Sequence, residues 1–187
     1  MARRNKTLIE LSVQNLIDCS TLSKGCFGGT PAGALTGVVL AGGIQWEKSY
    51  PYEGSSGVCR FHIERQALSI NLAHVIHHRD ERVLMQFVAK YGPVAVLIDA
   101  SSPSFKNYKS GIYFNKDCAR NREALRHAML IVGYGNDPDQ GDYWILVSAL
   151  KLLRLTVIGS QLTNLFVLYL DRKTHGELNG VRKATCA

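Results

Sequence analysis

Apolar residues are concentrated in two runs in the second half of the chain. One lies within residues 125–135 and the other within residues 142–147, and Gly, Asn, Asp and Pro residues separate them. Branched and aromatic side chains favour strands, whereas the intervening residue types supply turn dihedrals. The pattern therefore predicts a β-hairpin, with His127 at the mouth of its first strand. An imidazole held there by a sheet, with a pKa near neutrality, is a candidate general base.

Two short helices are predicted near the start of the chain. Ser12 is a suitable N-cap for a helix over residues 13–18. Thr30 is another suitable N-cap, because Pro31 follows at the first helical position and residues 32–41 continue the helix to a pair of glycines.

A third helix and a buried strand are predicted next. Asp80 is a candidate N-cap, and apolar residues recur at helical spacing from Val83 to Val88. Residues 94–99 form an apolar run that predicts a buried strand. Helices followed by a run of strands, without regular βαβ alternation, indicate an α+β fold.

The composition is that of one globular domain with a substantial core. The chain has 187 residues, of which 46% are hydrophobic and 20% are charged. The formal charge is +7, but the basic residues are scattered and form no stripe interleaved with aromatics. We therefore expect no nucleic-acid partner.

Residues 146–170 are apolar enough to raise the question of a membrane span. Lys151 and Arg154 interrupt this segment, and a cation at mid-bilayer costs ~2.5–3.5 kcal/mol on insertion scales. A membrane span is therefore not expected. The charged first six residues are not typical of a secretory signal.

The chain has five cysteines: Cys19, Cys26, Cys59, Cys118 and Cys186. No pair has the two-residue spacing of a zinc site, so disulfides are the favoured use, and the odd number leaves at least one thiol without a partner. His74, His77 and His78 are close in sequence, but successive strand residues point to opposite faces and no carboxylate spacing completes a site. No metal and no cofactor are predicted.

Eight segments stand out along the chain: "LSVQNLIDCS", "GCFGG", "YPYEG", "VCRF", "YGPVAVLIDA", "FKNYKSGIYF", "HAMLIVGYG" and "YWILV". In this order and at this spacing they resemble the papain family of cysteine peptidases, and within it the cathepsin L group. The resemblance implies a partial papain-like fold, mostly the β-rich half with short helices and without the central helix that carries the nucleophile. It defines a partial peptidase domain, residues 1–147, and a tail, residues 148–187, that does not resemble the family and is expected to be poorly ordered.

The resemblance also implies roles for individual residues. His127 corresponds to the imidazole that activates a cysteine nucleophile. Gly28 and Gly29 correspond to the backbone that pairs with an extended peptide substrate. The side-chain pocket that governs specificity would be lined by Thr30, Pro31, Leu125 and Arg126.

For the cysteines, the resemblance implies a disulfide between Cys19 and Cys59 and makes Cys118 half of another. Cys186 lies in sequence foreign to the family and is the remaining candidate partner for Cys118. Cys26 is the expected unpaired thiol.

Two departures from the family pattern bear on activity. The sequence has no "CGSCW"-like segment, which carries the family's nucleophile, and Ala149 stands where the family's "KNSWG" has the Asn that orients the His. A base with neither nucleophile nor orienter has nothing to activate. The chain is therefore predicted to be a papain-like peptidase fragment or isoform that is inactive alone.

Two other functions stay open. One is an active cysteine endopeptidase that a second chain completes, and the other is a non-catalytic module that binds peptides or a cystatin-type inhibitor. The implied partners are accordingly an extended peptide or a cystatin-type inhibitor. Family resemblance implies lysosomes or secretion, whereas this chain shows no signal, so its location stays open.

Overall fold

The computed structural model describes residues 9–70, 72–76, 81–115, 125–148, 155–159 and 167–171. The chain divides into two units. The first unit consists of Met1–His74 with Leu170–Glu177, and the second of Val75–Tyr169 with Leu178–Ala187.

Each of the two main helices in the first unit begins at a hydroxyl cap. In α1 (Val13–Cys19) the Ser12 hydroxyl accepts a hydrogen bond from a backbone N–H of the first turn, and in α2 (Pro31–Ala41) the Thr30 hydroxyl does the same. Gly42 ends α2 with a φ of 84°, a left-handed conformation that glycine adopts without steric cost. The helices lie where the sequence predicts them.

A two-stranded antiparallel sheet and a small apolar core complete the regular structure of the first unit. The sheet pairs β1 (Ile44–Gln45) with β2 (Gln66–Leu68). Val38 from α2 packs with Ile44 and Ile70 in the core beside this sheet.

Buried polar side chains tie the loop after residue 50 to α1. The Asp18 carboxylate has 0% of its surface exposed and accepts hydrogen bonds from the Gly57 N–H (2.7 Å), the Gln14 amide (2.8 Å) and the Tyr50 hydroxyl (2.8 Å). Burial acts to raise the pKa of Asp18, but these hydrogen bonds and the charge of Arg60 outweigh it, so the pKa lies below its ordinary 3.8. The carboxylate therefore stays ionised and organises the loop.

A larger sheet has most of its residues in the second unit. Its strands are β3 (Leu72–Ile76), β4 (Val94–Asp99), β5 (Ile112–Tyr113), β6 (Leu125–Asp137), β7 (Gly141–Ser148), β8 (Leu155–Gly159) and β9 (Val167–Asp171). Within the described ranges their order across the sheet is β3-β9-β4-β6-β7-β8-β5. Strands β6 and β7 form the predicted hairpin and pair antiparallel from Met129↔Ser148 to Asp137↔Gly141.

One face of this sheet packs against the helix α3 (Glu81–Tyr91). Side chains along β6 alternate, because Met129 and Ile131 are buried while Leu130 and Val132 are each 39% exposed. The buried residues join those of α3, β4 and β7 in one core, which comprises Leu84, Val88, Val94, Val96, Ile98, Met129, Ile131, Trp144 and Leu146.

The α+β class predicted from the sequence is confirmed, together with the third helix, the buried strand and the hairpin. The proposed N-cap Asp80 lies outside the described residues. In the tail, Ser148 ends β7 and two further segments form β8 and β9. The other tail residues are outside the described ranges, so their expected lack of order stays a prediction. No helix in the described ranges is both long enough and apolar enough to cross a bilayer.

Candidate functional site

His127 is the third residue of β6, and its position is set by the pairing of β6 with β4. In this antiparallel ladder His127 faces Ile98, and the register then shifts so that Asp99 pairs with Leu125. A shift of this kind bends a strand and re-aims neighbouring side chains, and it is common beside active sites. The sheet thus fixes the backbone on which the imidazole is carried.

The His127 imidazole is partly buried against an aromatic side chain. The centroid of the Phe105 ring lies 6.3 Å from that of the imidazole, at an interplanar angle of 65°, an edge-on geometry typical of favourable ring pairs. Burial disfavours the charged form and lowers the pKa of His127 below its ordinary 6.5. The ring is therefore predominantly neutral at pH 7 and able to accept a proton.

The two predicted specificity residues of the second unit directly precede His127. Arg126 is exposed and lies at the register shift, between the residues that pair with Asp99 and Ile98. Leu125 begins β6, and only its backbone is described.

The four predicted substrate-binding residues of the first unit, 28–31, follow a short 3-10 turn at Gly25–Phe27. Gly28 has a φ of 104°, and no atom lies within 4 Å of the position that a Cβ would take. At Gly29 a Cβ would meet the Ser23 hydroxyl at 2.7 Å. Gly28 thus faces open space, whereas Gly29 packs closely against Ser23. Thr30 is the N-cap of α2 and Pro31 is its first residue.

The predicted site residues therefore fall into two groups, one in each unit. Residues 28–31 belong to the first unit and residues 125–127 to the second. Each group is contiguous in sequence, and each lies at the start of a helix or a strand.

Cys19 and Cys59 form a disulfide, as the resemblance implied. Among the described cysteines, Cys26 is free and exposed. Its backbone N–H donates to the Ser56 hydroxyl at 3.0 Å. Cys118 and Cys186 lie outside the described residues, so their pairing stays a prediction.

Within the described residues, no group of three or more His, Cys, Asp or Glu side chains is arranged to hold a metal ion. His77 and His78 fall outside these residues, and only the backbone of His74 is described.

Phe105 is the site residue that sequence reasoning does not single out. It lies in an aromatic-rich connection, residues 105–114, whose richness in rings is the available signal. No local pattern pairs this connection with His127, because the two segments meet only through the fold of the second unit.

Comparison with known proteins identifies the family. The family described as "Papain family cysteine protease" matches residues 1–149. The chain belongs to the papain family. Papain-family relatives include cathepsin 7 of Mus musculus, 40% identical over 149 residues, which are 77% of this chain and 44% of the relative. Testin-2 of Rattus norvegicus is 42% identical over 78% of this chain and 44% of its own length, and cathepsin S of Bos taurus is 40% identical over 74% and 42%.

This papain-family chain thus spans less than half the length of these curated relatives. Among solved structures, the procathepsin L2 proteinase of Tenebrio molitor larval midgut matches with a TM-score of 0.76 and 36% identity, covering 84% of this chain and 50% of that chain. Procathepsin L 3 from the same source matches with a TM-score of 0.75 and 29% identity. The resemblance to cathepsin L-like peptidases and the partial papain-like fold are confirmed.

Proposed function

We propose that this chain carries the base of a papain-like cysteine peptidase active site, and that His127 is that base. The observation that supports this most is the placement of the imidazole, which β6 carries partly buried beside the Phe105 ring and within the residues that match the papain family. A ring that is neutral at pH 7 accepts the proton of a cysteine thiol, and the resulting thiolate attacks the carbonyl carbon of a peptide bond. Family membership supports peptide hydrolysis as the reaction class.

Residues of the first unit are proposed to hold the substrate. The backbone of Gly28 and Gly29 would pair with an extended peptide, and the open space beside Gly28 supports this because a residue without a Cβ lets another backbone approach closely. The substrate's side chains would contact Thr30 and Pro31, which lie at the start of α2.

The polypeptide of 187 residues is proposed to be unable to cleave peptides by itself. Cys19 and Cys59 are joined to each other, and Cys26 lies in a three-residue 3-10 turn rather than at the start of a longer helix, where a thiolate is stabilised. Ala149 moreover stands where the family pattern has the orienting Asn.

A fluorogenic dipeptide amide and a peptidyl epoxide probe test this inability with the purified polypeptide. The wild type, His127→Ala and Cys26→Ser are expected to show the same background rate and no labelled cysteine. Cleavage that disappears in His127→Ala would show instead that the polypeptide is active alone. Its loss in Cys26→Ser as well would identify Cys26 as the nucleophile.

The role of His127 as the base is tested by supplying the missing thiol. The polypeptide is refolded together with the amino-terminal part of a cathepsin L-like relative that contains its catalytic cysteine. We expect the epoxide probe to label that cysteine with the wild type and with the control His62→Ala, an exposed histidine of the first unit, and labelling to fall at least tenfold with His127→Ala. Equal labelling with His127→Ala would contradict the proposed role.

A non-catalytic binding module is the second candidate, and exposure around Gly28 favours it. Phe27, directly before Gly28, is 91% exposed, so an apolar ring stands beside an accessible backbone. Calorimetric titration with a cystatin-type inhibitor tests this function. Gly28→Glu is expected to weaken binding at least tenfold, whereas the control Gly54→Glu is expected to leave it unchanged.

Gly54 is a control for the added charge, because it is also exposed, has a positive φ of 73°, and has its nearest atom 4.0 Å from its would-be Cβ. Gly28 combines a φ of 104° with a ψ of −173°, a conformation that essentially only glycine adopts. The circular dichroism spectrum of Gly28→Glu therefore has to match that of the wild type before the two are compared for binding. No binding by the wild type would eliminate the module function.

A further inference from the structure

A connected set of side chains in the second unit ends at the His127 imidazole. It begins at the short helix α4 (Pro103–Lys106) and includes one residue of β5. We call this set the aromatic–hydroxyl chain, and its members are Ser102, Ser104, Tyr113 and Phe105.

The links of the aromatic–hydroxyl chain are two hydroxyl–hydroxyl hydrogen bonds and two edge-on ring pairs. The Ser102 and Ser104 hydroxyls are 2.6 Å apart, and the Ser104 hydroxyl lies 2.8 Å from the Tyr113 hydroxyl. The Tyr113 ring meets the Phe105 ring edge-on, with centroids 5.3 Å apart and an interplanar angle of 79°. Phe105 in turn meets His127.

Phe105 is held from two further directions. Its backbone belongs to α4, whose cap Ser102 accepts a hydrogen bond from the Ser104 N–H at 3.3 Å. Its ring and that of Tyr113 pack against the apolar core of the second unit. A ring fixed by a helix, a core and a neighbouring ring presents a rigid edge to the imidazole, because few of its rotamers remain accessible.

We propose that Phe105, held by Tyr113 and Ser104, is a positioning residue that fixes the orientation of the His127 imidazole. The inference rests on the proposed function, because it takes His127 as the base. A base reaches its proton only within hydrogen-bond distance and in the correct orientation, so a ring free to rotate about its side-chain bonds would be less effective. Phe105 acts through His127 and takes no part in proton transfer.

Phe105 also helps to keep water away from the imidazole. The charged residues nearest His127 on these elements are Arg126 on β6, Lys106 on α4 and Asp99 on β4. The Asp99 carboxylate accepts a hydrogen bond from the Ser101 N–H at 2.9 Å. Burial is the cause that lowers the pKa of His127, so removing the Phe105 ring should hydrate the imidazole and return its pKa toward 6.5.

Nuclear magnetic resonance of the full 187-residue chain tests the inference without any enzymatic activity. Phe105→Leu keeps an apolar side chain but removes the ring, and we expect it to shift the His127 ring-proton resonances and raise the His127 pKa. Phe105→Tyr keeps the ring and should preserve both values. Phe87→Leu is the matched control, because Phe87 also packs on this core and pairs with Tyr91 at 5.2 Å.

Unchanged His127 resonances and pKa in Phe105→Leu would overturn the inference, as would an equal change in Phe87→Leu. If Phe105→Leu does not fold, the spectrum of the wild type tests the inference instead. A nuclear Overhauser contact between the Phe105 and His127 rings is expected, and its absence would refute the positioning role. These readouts depend on the ring and not on peptide cleavage, so the base role of His127 can fail in the labelling experiment while the ring contact stands.

Discussion

Burial acts on two side chains of this chain with opposite results. It keeps the imidazole of His127 neutral by lowering its pKa. At Asp18 it acts to raise the pKa, but hydrogen bonds from Gly57, Tyr50 and Gln14 outweigh it and keep the carboxylate charged. Hydrogen bonding therefore decides the charge state of Asp18, whereas burial decides that of His127, and each residue affects stability in its own pH range.

Acidification is expected to destabilise the folded chain through His127. Its folded pKa lies below the ordinary 6.5, so below that value the unfolded state binds more protons than the folded state and stability falls with pH. Urea unfolding of the wild type between about pH 7.5 and about pH 5 should show this loss, and His127→Gln should show a smaller one. Equal slopes for the two proteins would be evidence against this assignment.

Asp18→Asn is expected to lower the free energy of unfolding by roughly 1–3 kcal/mol at pH 7, the range for leaving buried donors unsatisfied. Urea unfolding measures the change, and Asp142→Asn is the control, since the Asp142 carboxylate accepts one exposed hydrogen bond from Asn136. The folded pKa of Asp18 lies below 3.8, so its contribution is present above that pH and is lost as the pH falls further. A variant as stable as the wild type at pH 7 would contradict the role given to this carboxylate.

Helix caps and the hairpin are the elements that local sequence predicts well. Ser12, Thr30 and the turn after residue 137 each use a residue type whose side chain or backbone chemistry suffices to start or end an element. The small sheet of β1 and β2 has strands of two and three residues, which are too short to show a period. The register shift at Ile98/Asp99 arises from the pairing of two strands that are distant in sequence, so no local sequence pattern predicts it.

The contribution of the N-cap Thr30 to the stability of α2 can be tested by substitution. Thr30→Ala removes the hydroxyl that accepts from the Gly33 N–H at 3.0 Å, and it should destabilise the start of α2 by about 0.5–2 kcal/mol. Amide hydrogen exchange of the first turn should become faster in this variant. Thr36→Ala, within the same helix, should leave that turn protected, and equal acceleration in both variants would contradict the capping role.

At the scale of the whole molecule, sequence motifs predict most of the candidate site residues but not the side chains that pack against them. The order and spacing of the eight segments predict His127 and residues 28–31 as site residues, and these residues lie within the part of the chain that matches the family. Phe105 and the aromatic–hydroxyl chain come from the tertiary packing of the second unit. Packing of this kind depends on shape across distant segments, which a linear pattern does not record.

Loss of the Cys19–Cys59 disulfide is expected to lower stability by about 4 kcal/mol, because it releases a loop of 40 residues in the unfolded state. The double variant Cys19→Ser with Cys59→Ser should melt at a lower temperature than the wild type in circular dichroism, and adding a reductant should lower the wild-type melting temperature to a similar extent. Cys26→Ser is the control and should melt like the wild type. Unchanged melting of the double variant would show that the bridge contributes little.

The same bridge closes residues 19–59 into a covalent ring. A protease that cuts once inside this ring, for example trypsin after the exposed Lys24 or Lys48, leaves both pieces attached to each other. Such a nicked chain migrates as one species on a gel until a thiol is added, whereas a cut between residues 60 and 117 separates two pieces at once. Comparing the two gel conditions therefore locates a cleavage relative to the ring before any fragment is sequenced.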